Sequence, residues 1–390
     1  MDAASATFAT GELTAWINLA AIRHNLRLVR HAVGPDVRIC PAVKANAYGH
    51  GIGVVLPALR QAKVDMLAVA TLAEAIELRE LCWTGGILVF GRPVPGSCTA
   101  DACEAAIEAV RHGVTCTVAD RSDAEALSHA AVRLGRRVAV HVKLDSGMSR
   151  AGLLPADAAA LIGRVRSLPG LCVEAVYTHF ATSDEADLSY AWRQLAAFRE
   201  AVACIDVPIR HAANTAAIFR LPESHFDMVR PGVGVYGYWP DPSVPPPVPL
   251  RPALKLVSRL VTLKRVPKGQ AVGYGCTFLT QRPSILGLVP IGYEDGYFRS
   301  LSNRAVMTLR AGSVRPATVP VVGRVSMDQT IVDVTDVPEV REGDPVVIID
   351  DDPGAPNSVA ALARLMNTIP YEVTCNLGRR VSRLTVDTDT

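Results

Sequence analysis

The chain has 390 residues, of which 49% are hydrophobic and 20% charged, so intrinsic disorder is excluded as a description of the whole. Forty Lys and Arg against 38 Asp and Glu leave a net charge of +2, and aromatic residues are only 5%. Neither a basic nucleic-acid surface nor a base-stacking platform is indicated, and no apolar run reaches the length of a membrane span.

A chain of this length predicts two domains, or a barrel with an appendage. The opening MDAASATFATGELTAW lacks the basic start and apolar stretch of a secretory signal, which predicts a cytoplasmic protein. From about residue 14 to 236, apolar strand-like runs alternate with helix-like runs. RICPAV (38–43), MLAVA (66–70), ILVFG (87–91), VTCTVA (114–119), VAVHVKL (138–144), CVEAVYTH (172–179), IRHAA (209–213) and DMVRP (227–231) predict strands. Between them lie amphipathic stretches such as TLAEAIELREL, RSDAEALSHAAVRLG and SYAWRQLAAFREAVA. Thr71 with Glu74 three residues on is a capping-box signature. Strands that are apolar at consecutive positions belong to sheets covered on both faces. Eight of them, most followed by a helix, predict a (β/α)8 barrel of the TIM type. An open doubly wound sheet would carry a G-x-G-x-x-G after its first strand, and here that strand runs into Lys44.

WPDPSVPPPVPLRP (239–252) is proline-dense and predicts a semi-rigid linker. Beyond it LKLVSRLVTLKRV, ILGLVPIGY, AVMTLR, TVPVVGRV, QTIVDVTDV and DPVVIID are β-rich, with one helix, NSVAALARLMN, behind the N-cap Asn357. The expected fold is therefore α/β, with a (β/α)8 barrel over residues 1–245 followed by a mainly β C-terminal domain over 246–390. The nine cysteines (Cys40, Cys82, Cys98, Cys103, Cys116, Cys172, Cys204, Cys276 and Cys375) are odd in number and show no C-x-x-C spacing. They predict buried, reduced thiols and no metal site.

In a (β/α)8 barrel, reactive groups sit at the C-terminal ends of the strands. Lys44 ends the first strand, ahead of Ala45, Ala47, Gly49 and Gly51, small residues that let a bulky ligand approach the backbone. A partly desolvated lysine is a nucleophile for a carbonyl, and the commonest cofactor of such chemistry is pyridoxal 5′-phosphate. Tyr48, four residues on, has a hydroxyl suited to a phosphate. Tyr177 and His179 end the sixth strand. Asn214 and Thr215 follow the seventh and start a helix whose free N–H groups suit an anion, or which they simply cap. Arg230 ends the eighth, ahead of Gly232 and Gly234. Lys143 and Arg150 flank KLDSGMSR after the fifth, where they suit an anionic ligand. In the second domain, Tyr293 lies in the glycine-flanked GYEDGY; an ordinary tyrosine has a pKa of about 10 and acts as a base only beside cations. Met327, Asp328 and Tyr371 are weak signals singly.

Taken together, AVKANAYGHG, KLDSGMSRAG, YTHFA, AANTAA, RPGVGVYG, GYGCTF, GYEDGY, GRVSMDQ and PYEV resemble, in order and over nearly the whole chain, the pyridoxal-phosphate-dependent alanine racemases of bacteria. The resemblance implies a pyridoxal-phosphate-binding barrel, a β domain and a head-to-tail homodimer with active sites shared between subunits. It implies that Lys44 holds the cofactor as an internal aldimine and is the base on one face of the substrate Cα, and that Tyr293 from the partner subunit is the base on the other. Tyr48, Asn214, Thr215, Gly232, Val233 and Tyr371 would surround the phosphate. Arg230 would meet the pyridine nitrogen, with His179 near it and near Tyr293, and Arg150 the phenolic oxygen. Lys143 stands where many members carry a carbamylated lysine. The Met327 backbone N–H would bind the substrate carboxylate, with Asp328 beside it; Arg150 also counts among the substrate contacts.

Three positions depart from the family: Thr215 for a serine, Glu294 for a small residue beside Tyr293, and Ser326 for a cysteine. The expected activity is interconversion of L- and D-alanine, supplying D-alanine for peptidoglycan, with no nucleic-acid or membrane partner and no metal. The alternative is a racemase of broader range, acting on serine or basic amino acids. A non-catalytic cofactor carrier would lack the β domain, and a decarboxylase on a similar barrel would release CO2.

Overall fold

The computed structural model describes residues 13–92, 103–311 and 315–388, which leaves Cys98 and most of the N-terminal stretch outside. The predicted apolar runs form short strands: β2 (Arg38–Ile39), β3 (Met66–Val69), β4 (Gly86–Val89), β5 (Thr115–Val118), β6 (Val138–Lys143), β7 (Leu171–Tyr177), β8 (Ile209–His211) and β9 (Met228–Val229). They are parallel and ordered β2-β9-β8-β7-β6-β5-β4-β3, and a parallel bridge between Ala42 and Ala68 joins the two ends into a barrel. Helices α1 (Leu19–Val33), α2 (Ile52–Gln61), α3 (Leu72–Glu80), α4 (Glu104–Arg111), α5 (Arg121–Leu134), α6 (Ala158–Ser167), α7 (Ser189–Val202) and α8 (Thr215–Arg220) intervene. Burial of strand residues on both faces follows from that enclosure: β3 and β5 are buried at every position.

Helix starts follow local chemistry. Thr71 accepts from the Glu74 N–H while the Glu74 carboxylate accepts from the Thr71 N–H, the expected capping box. Asn18, Asp120 and Asn214 cap α1, α5 and α8 through their side-chain oxygens.

The second region is β-rich, as expected. Its main sheet has the order β16-β15-β18-β10-β1-β19, from Ala317–Pro320, Val306–Leu309, Pro345–Ile349, Leu254–Arg259, Leu13–Asn18 and Ser382–Val386. β1 comes from the start of the chain, antiparallel to β10 and parallel to β19. A three-stranded sheet, β11 (Thr262–Val266), β14 (Ser284–Val289) and β17 (Thr330–Asp333), lies beside a two-stranded ribbon, β12 (Ala271–Val272) with β13 (Phe278–Leu279). One apolar core runs from the barrel helices into these strands. Two helices follow, α9 (Val359–Met366) and α10 (Pro370–Cys375).

Two expectations are corrected. The N-cap of α9 is Ser358, which accepts from the Ala361 N–H; Asn357 is buried and donates its amide to the Val347 carbonyl. Of the eight cysteines described, all are free, yet Cys82, Cys172, Cys204 and Cys276 are exposed. Cys82 and Cys204 follow helix ends, where the chain meets solvent. Cys40 and Cys116 fit the expectation, and burial pushes both thiols up to about 12.

Candidate active site

Lys44 opens a single turn, Lys44–Tyr48, in which Ala45, Asn46, Ala47 and Tyr48 have φ between 52° and 55°. A left-handed turn of L-residues costs about 1–2 kcal/mol per residue, so the surroundings must hold it. Several groups do. Glu74 accepts from the Ala45 N–H at 2.7 Å, and His50 Nδ1 lies 3.1 and 3.0 Å from the carbonyls of Ala47 and Tyr48. Asn46 caps the Ile52 N–H, and Arg383 of β19 donates to the Gly49 carbonyl. A Cβ on Gly49, at φ +82°, would lie 1.9 Å from the Thr374 carbonyl oxygen, so the turn is pressed against α10.

The turn places Lys44 and Tyr48 on the wall of a cavity of about 590 Å³ at the C-terminal end of the strands. Lys143, Arg150, Tyr177, His179, Asn214, Thr215, Arg230, Gly232 and Tyr371 line it too. With Arg92, five cations therefore line one space, and the proton affinity of Lys44 falls through burial and then through Arg150. Burial, with Arg150 next, pushes Lys143 down to about 8. The Arg150 loop is shaped by Asp145, whose carboxylate accepts from the N–H groups of residues 147–150.

Elsewhere in the lining, Asn214 accepts from the Ala217 N–H and the Ser183 hydroxyl. Thr215 Oγ1 accepts from the N–H groups of Gly232 and Gly234 at 2.9 and 3.3 Å. A Cβ on Gly232 would stand 2.7 Å from the Tyr48 hydroxyl, so this glycine keeps the tyrosine end of the cavity open. Val233 is fully buried in the short helix behind Gly232 and is not part of the cavity wall.

Arg230 is only 3% exposed. It donates to the carbonyls of Thr178 and Ala212 at 2.7 and 2.9 Å, to His211 Nδ1 at 2.7 Å, and more weakly toward His179 Nδ1 at 3.3 Å. Burial draws Arg230 down to about 10 and holds His179 and His211 well below the usual imidazole value, with the guanidinium the next cause for both rings. Both shifts favour the neutral ring.

The β-domain residues lie elsewhere. Tyr293, Met327 and Asp328 do not line this cavity. Tyr293 and Met327 are 44% and 51% exposed. Their loops are fastened together: the N–H groups of Tyr293 and Glu294 donate to the carbonyls of Ser326 and Met327, and Arg380 bridges Asp295 and Asp328. Glu294 is exposed. Phe90, Arg92, Thr117, Met148, Asp184 and Ile369 also line the cavity and were not singled out in the sequence. Each sits after or near a barrel strand or helix end, and that position was their only signal.

An amine of lowered proton affinity among further cations, at the open end of a (β/α)8 barrel, is the arrangement of a barrel enzyme. Comparison with known proteins gives the particular family. Residues 17–240 match the family model for the alanine racemase N-terminal domain, and residues 253–385 that for the alanine racemase C-terminal domain. The chain is 41% identical over 377 residues to an alanine racemase of Desulfovibrio desulfuricans, covering 95% of this chain and 97% of that one. It superposes on an alanine racemase of Clostridium difficile 630 with a TM-score of 0.88 at 33% identity, over 98% of this chain and 97% of that one. An alanine racemase of Bartonella henselae with covalently bound pyridoxal phosphate gives 0.85 at 29% identity, over 97% of this chain and 100% of that one. The chain belongs to the alanine racemase family.

Proposed function

We propose that this protein interconverts L- and D-alanine with pyridoxal 5′-phosphate attached at Lys44. The observation that carries the reading is the Lys44 turn, a strained and heavily braced segment that holds an amine of lowered proton affinity against a cation-lined cavity. The residues present fit the cofactor. The wall of Tyr48, Asn214, Thr215, Gly232 and Tyr371 suits a phosphate, with room that a Cβ at position 232 would fill. When bound, pyridoxal phosphate supplies the electron sink that makes the Cα–H of an amino acid acidic.

The chain's own groups then do the following. Lys44 would take or return a proton on one face of the substrate Cα. Racemisation needs a second base on the opposite face, so that the substrate need not turn over. Tyr293, 44% exposed, does not line the cavity of its own subunit. We therefore assign that role to the partner subunit's Tyr293, in a homodimer whose two sites each draw on both chains. The exposed side chains of Tyr274, Tyr293 and Met327 suit burial against a second copy. Arg230 would face the ring nitrogen; a guanidinium has only donors, so it would leave that nitrogen unprotonated. His179 lies 3.3 Å from Arg230, and Arg150 would meet the phenolic oxygen. Lys143, of depressed proton affinity, is the candidate carbamate. The Met327 N–H of the adjoining loop would meet the substrate carboxylate, with Asp328 beside it, held by Arg380. A cytoplasmic role in supplying D-alanine for peptidoglycan goes with this activity, as does a division of the chain near residue 245.

The test is racemisation of L-alanine followed by circular dichroism, with a panel of other amino acids. Wild-type protein is expected to turn over alanine fastest, and Lys44→Ala to lose both activity and borohydride-fixable cofactor. Faster turnover of serine, lysine or arginine would assign the broader racemase instead.

A further inference from the structure

The barrel interior holds a polar chain that the two-base scheme does not use. Barrel interiors are usually filled with branched apolar side chains, and part of this one is, with Met66, Leu88, Ile209 and Met228 packed together. The rest carries two fully buried histidines, His141 and His211. His211 Nε2 lies 3.1 Å from His141 Nδ1, and His141 Nε2 lies 3.3 Å from Glu174 Oε2. Glu174 also lies 4.0 Å from Arg38 of β2, and its side chain is 31% exposed, so the chain ends near solvent.

The protons in this chain have one consistent placement. A guanidinium can only donate, so His211 Nδ1 must accept from Arg230. A neutral His211 then carries its proton on Nε2 and donates to His141 Nδ1. His141 in turn keeps its proton on Nε2 and donates to the Glu174 carboxylate. Burial favours neutrality of both rings, and the His141 bond holds the Glu174 carboxyl below its ordinary range. The backbone is built for it. Between Val140–Val173 and His141–Ala175 the β6–β7 register slips, so Glu174 is the extra residue of a bulge. Bulges re-aim side chains beside active sites, and this one turns Glu174 toward His141. Among the described residues no carboxylate pairs with Arg230 directly.

We propose that Glu174, His141 and His211 form a one-way hydrogen-bond relay along the barrel that fixes His211 as an acceptor and so holds Arg230 in its working orientation. All three are positioning residues. The relay deepens the reading given above, because it serves the arginine that faces the cofactor ring. Without an acceptor at its far end, the reversed proton arrangement becomes accessible. A protonated His211 Nδ1 would then meet the Arg230 N–H head-on and displace it.

The test uses the full-length protein with 15N-labelled histidine, before and after addition of pyridoxal phosphate, together with steady-state kinetics. In the wild type, both His141 and His211 are expected to show an unprotonated Nδ1 and a protonated Nε2. Glu174→Ala should mix those tautomers and lower kcat for alanine about tenfold, the weight of one hydrogen bond to a charged group, with KM within about twofold. Glu174→Gln keeps an acceptor oxygen and should restore both tautomers and kcat to within about twofold of wild type. A protonated Nδ1 on His211 in the wild type, or wild-type kcat in Glu174→Ala, would overturn the relay. A wild type that fails to racemise alanine would overturn the activity instead, while the tautomers of the cofactor-free chain would still decide the relay.

Discussion

Replacing Gly232 with alanine tests how the cavity is kept open. The added Cβ would stand 2.7 Å from the Tyr48 hydroxyl, 3.4 Å from its Cζ and 3.9 Å from Thr215 Oγ1. Only the first contact is too short, and Tyr48 cannot swing clear. Its ring is 5% exposed and wedged between Tyr236 and Tyr371, with centroids 5.1 and 5.7 Å away. Overpacking of this kind costs about 1–3 kcal/mol, so Gly232→Ala is expected to lose about 2 kcal/mol of unfolding free energy. Tyr48→Phe removes the one offending atom. In that background the same alanine meets only an ordinary contact and should cost less than about 0.5 kcal/mol, a coupling near 1.5 kcal/mol. The assay is urea unfolding of the four proteins, followed by tryptophan fluorescence. An equal cost of Gly232→Ala in both backgrounds would refute the geometry and with it the tyrosine-walled end of the cavity.

Three further outcomes follow from the same site. Glu74→Ala removes the capping box and the acceptor of the Ala45 N–H together, and should lower stability by about 1–2 kcal/mol in thermal unfolding; an unchanged melting point would refute its bracing of the Lys44 turn. Gly49→Ala combines a left-handed backbone with a backbone clash, and should abolish cofactor retention or soluble expression; a stable, cofactor-loaded variant would show that the turn yields. Lys143, held near 8, is largely protonated at pH 7, and only its neutral amine attacks CO2. A carbamate resonance in 13C-bicarbonate should therefore grow as pH rises through about 8 and vanish in Lys143→Ala; a signal that survives the substitution would place the adduct elsewhere.

Much of the fold was legible because its signals are local. Consecutive apolar residues such as those of β3 and β5 mark strands enclosed on both faces, and Thr71 with Glu74 marks a helix start. Strand β1 was not legible. LTAWIN owes its place to β10 and β19, partners hundreds of residues away, and its own sequence says little about which sheet takes it. Helix α10 is short, with Pro370 at its first position, and carries no periodic signal. The Lys44 segment was legible as a site and not as a shape. Ala45, Asn46, Ala47 and Tyr48 have no shared preference for positive φ, and bonds from Glu74, His50 and Arg383 impose it. Histidines 141 and 211 passed as members of apolar strands, because a one-residue bulge, which nothing in CVEAVYTH announces, brings Glu174 to them.

The central claim is that one chain's Lys44 works opposite another chain's Tyr293. Its most direct test is to mix subunits carrying Lys44→Ala with subunits carrying Tyr293→Phe, each inactive alone, and to measure alanine racemisation after the subunits re-associate. Random pairing makes half of the dimers mixed, and each mixed dimer holds one complete site in two, so about a quarter of wild-type activity should return. A mixture as inactive as its two components would contradict the account.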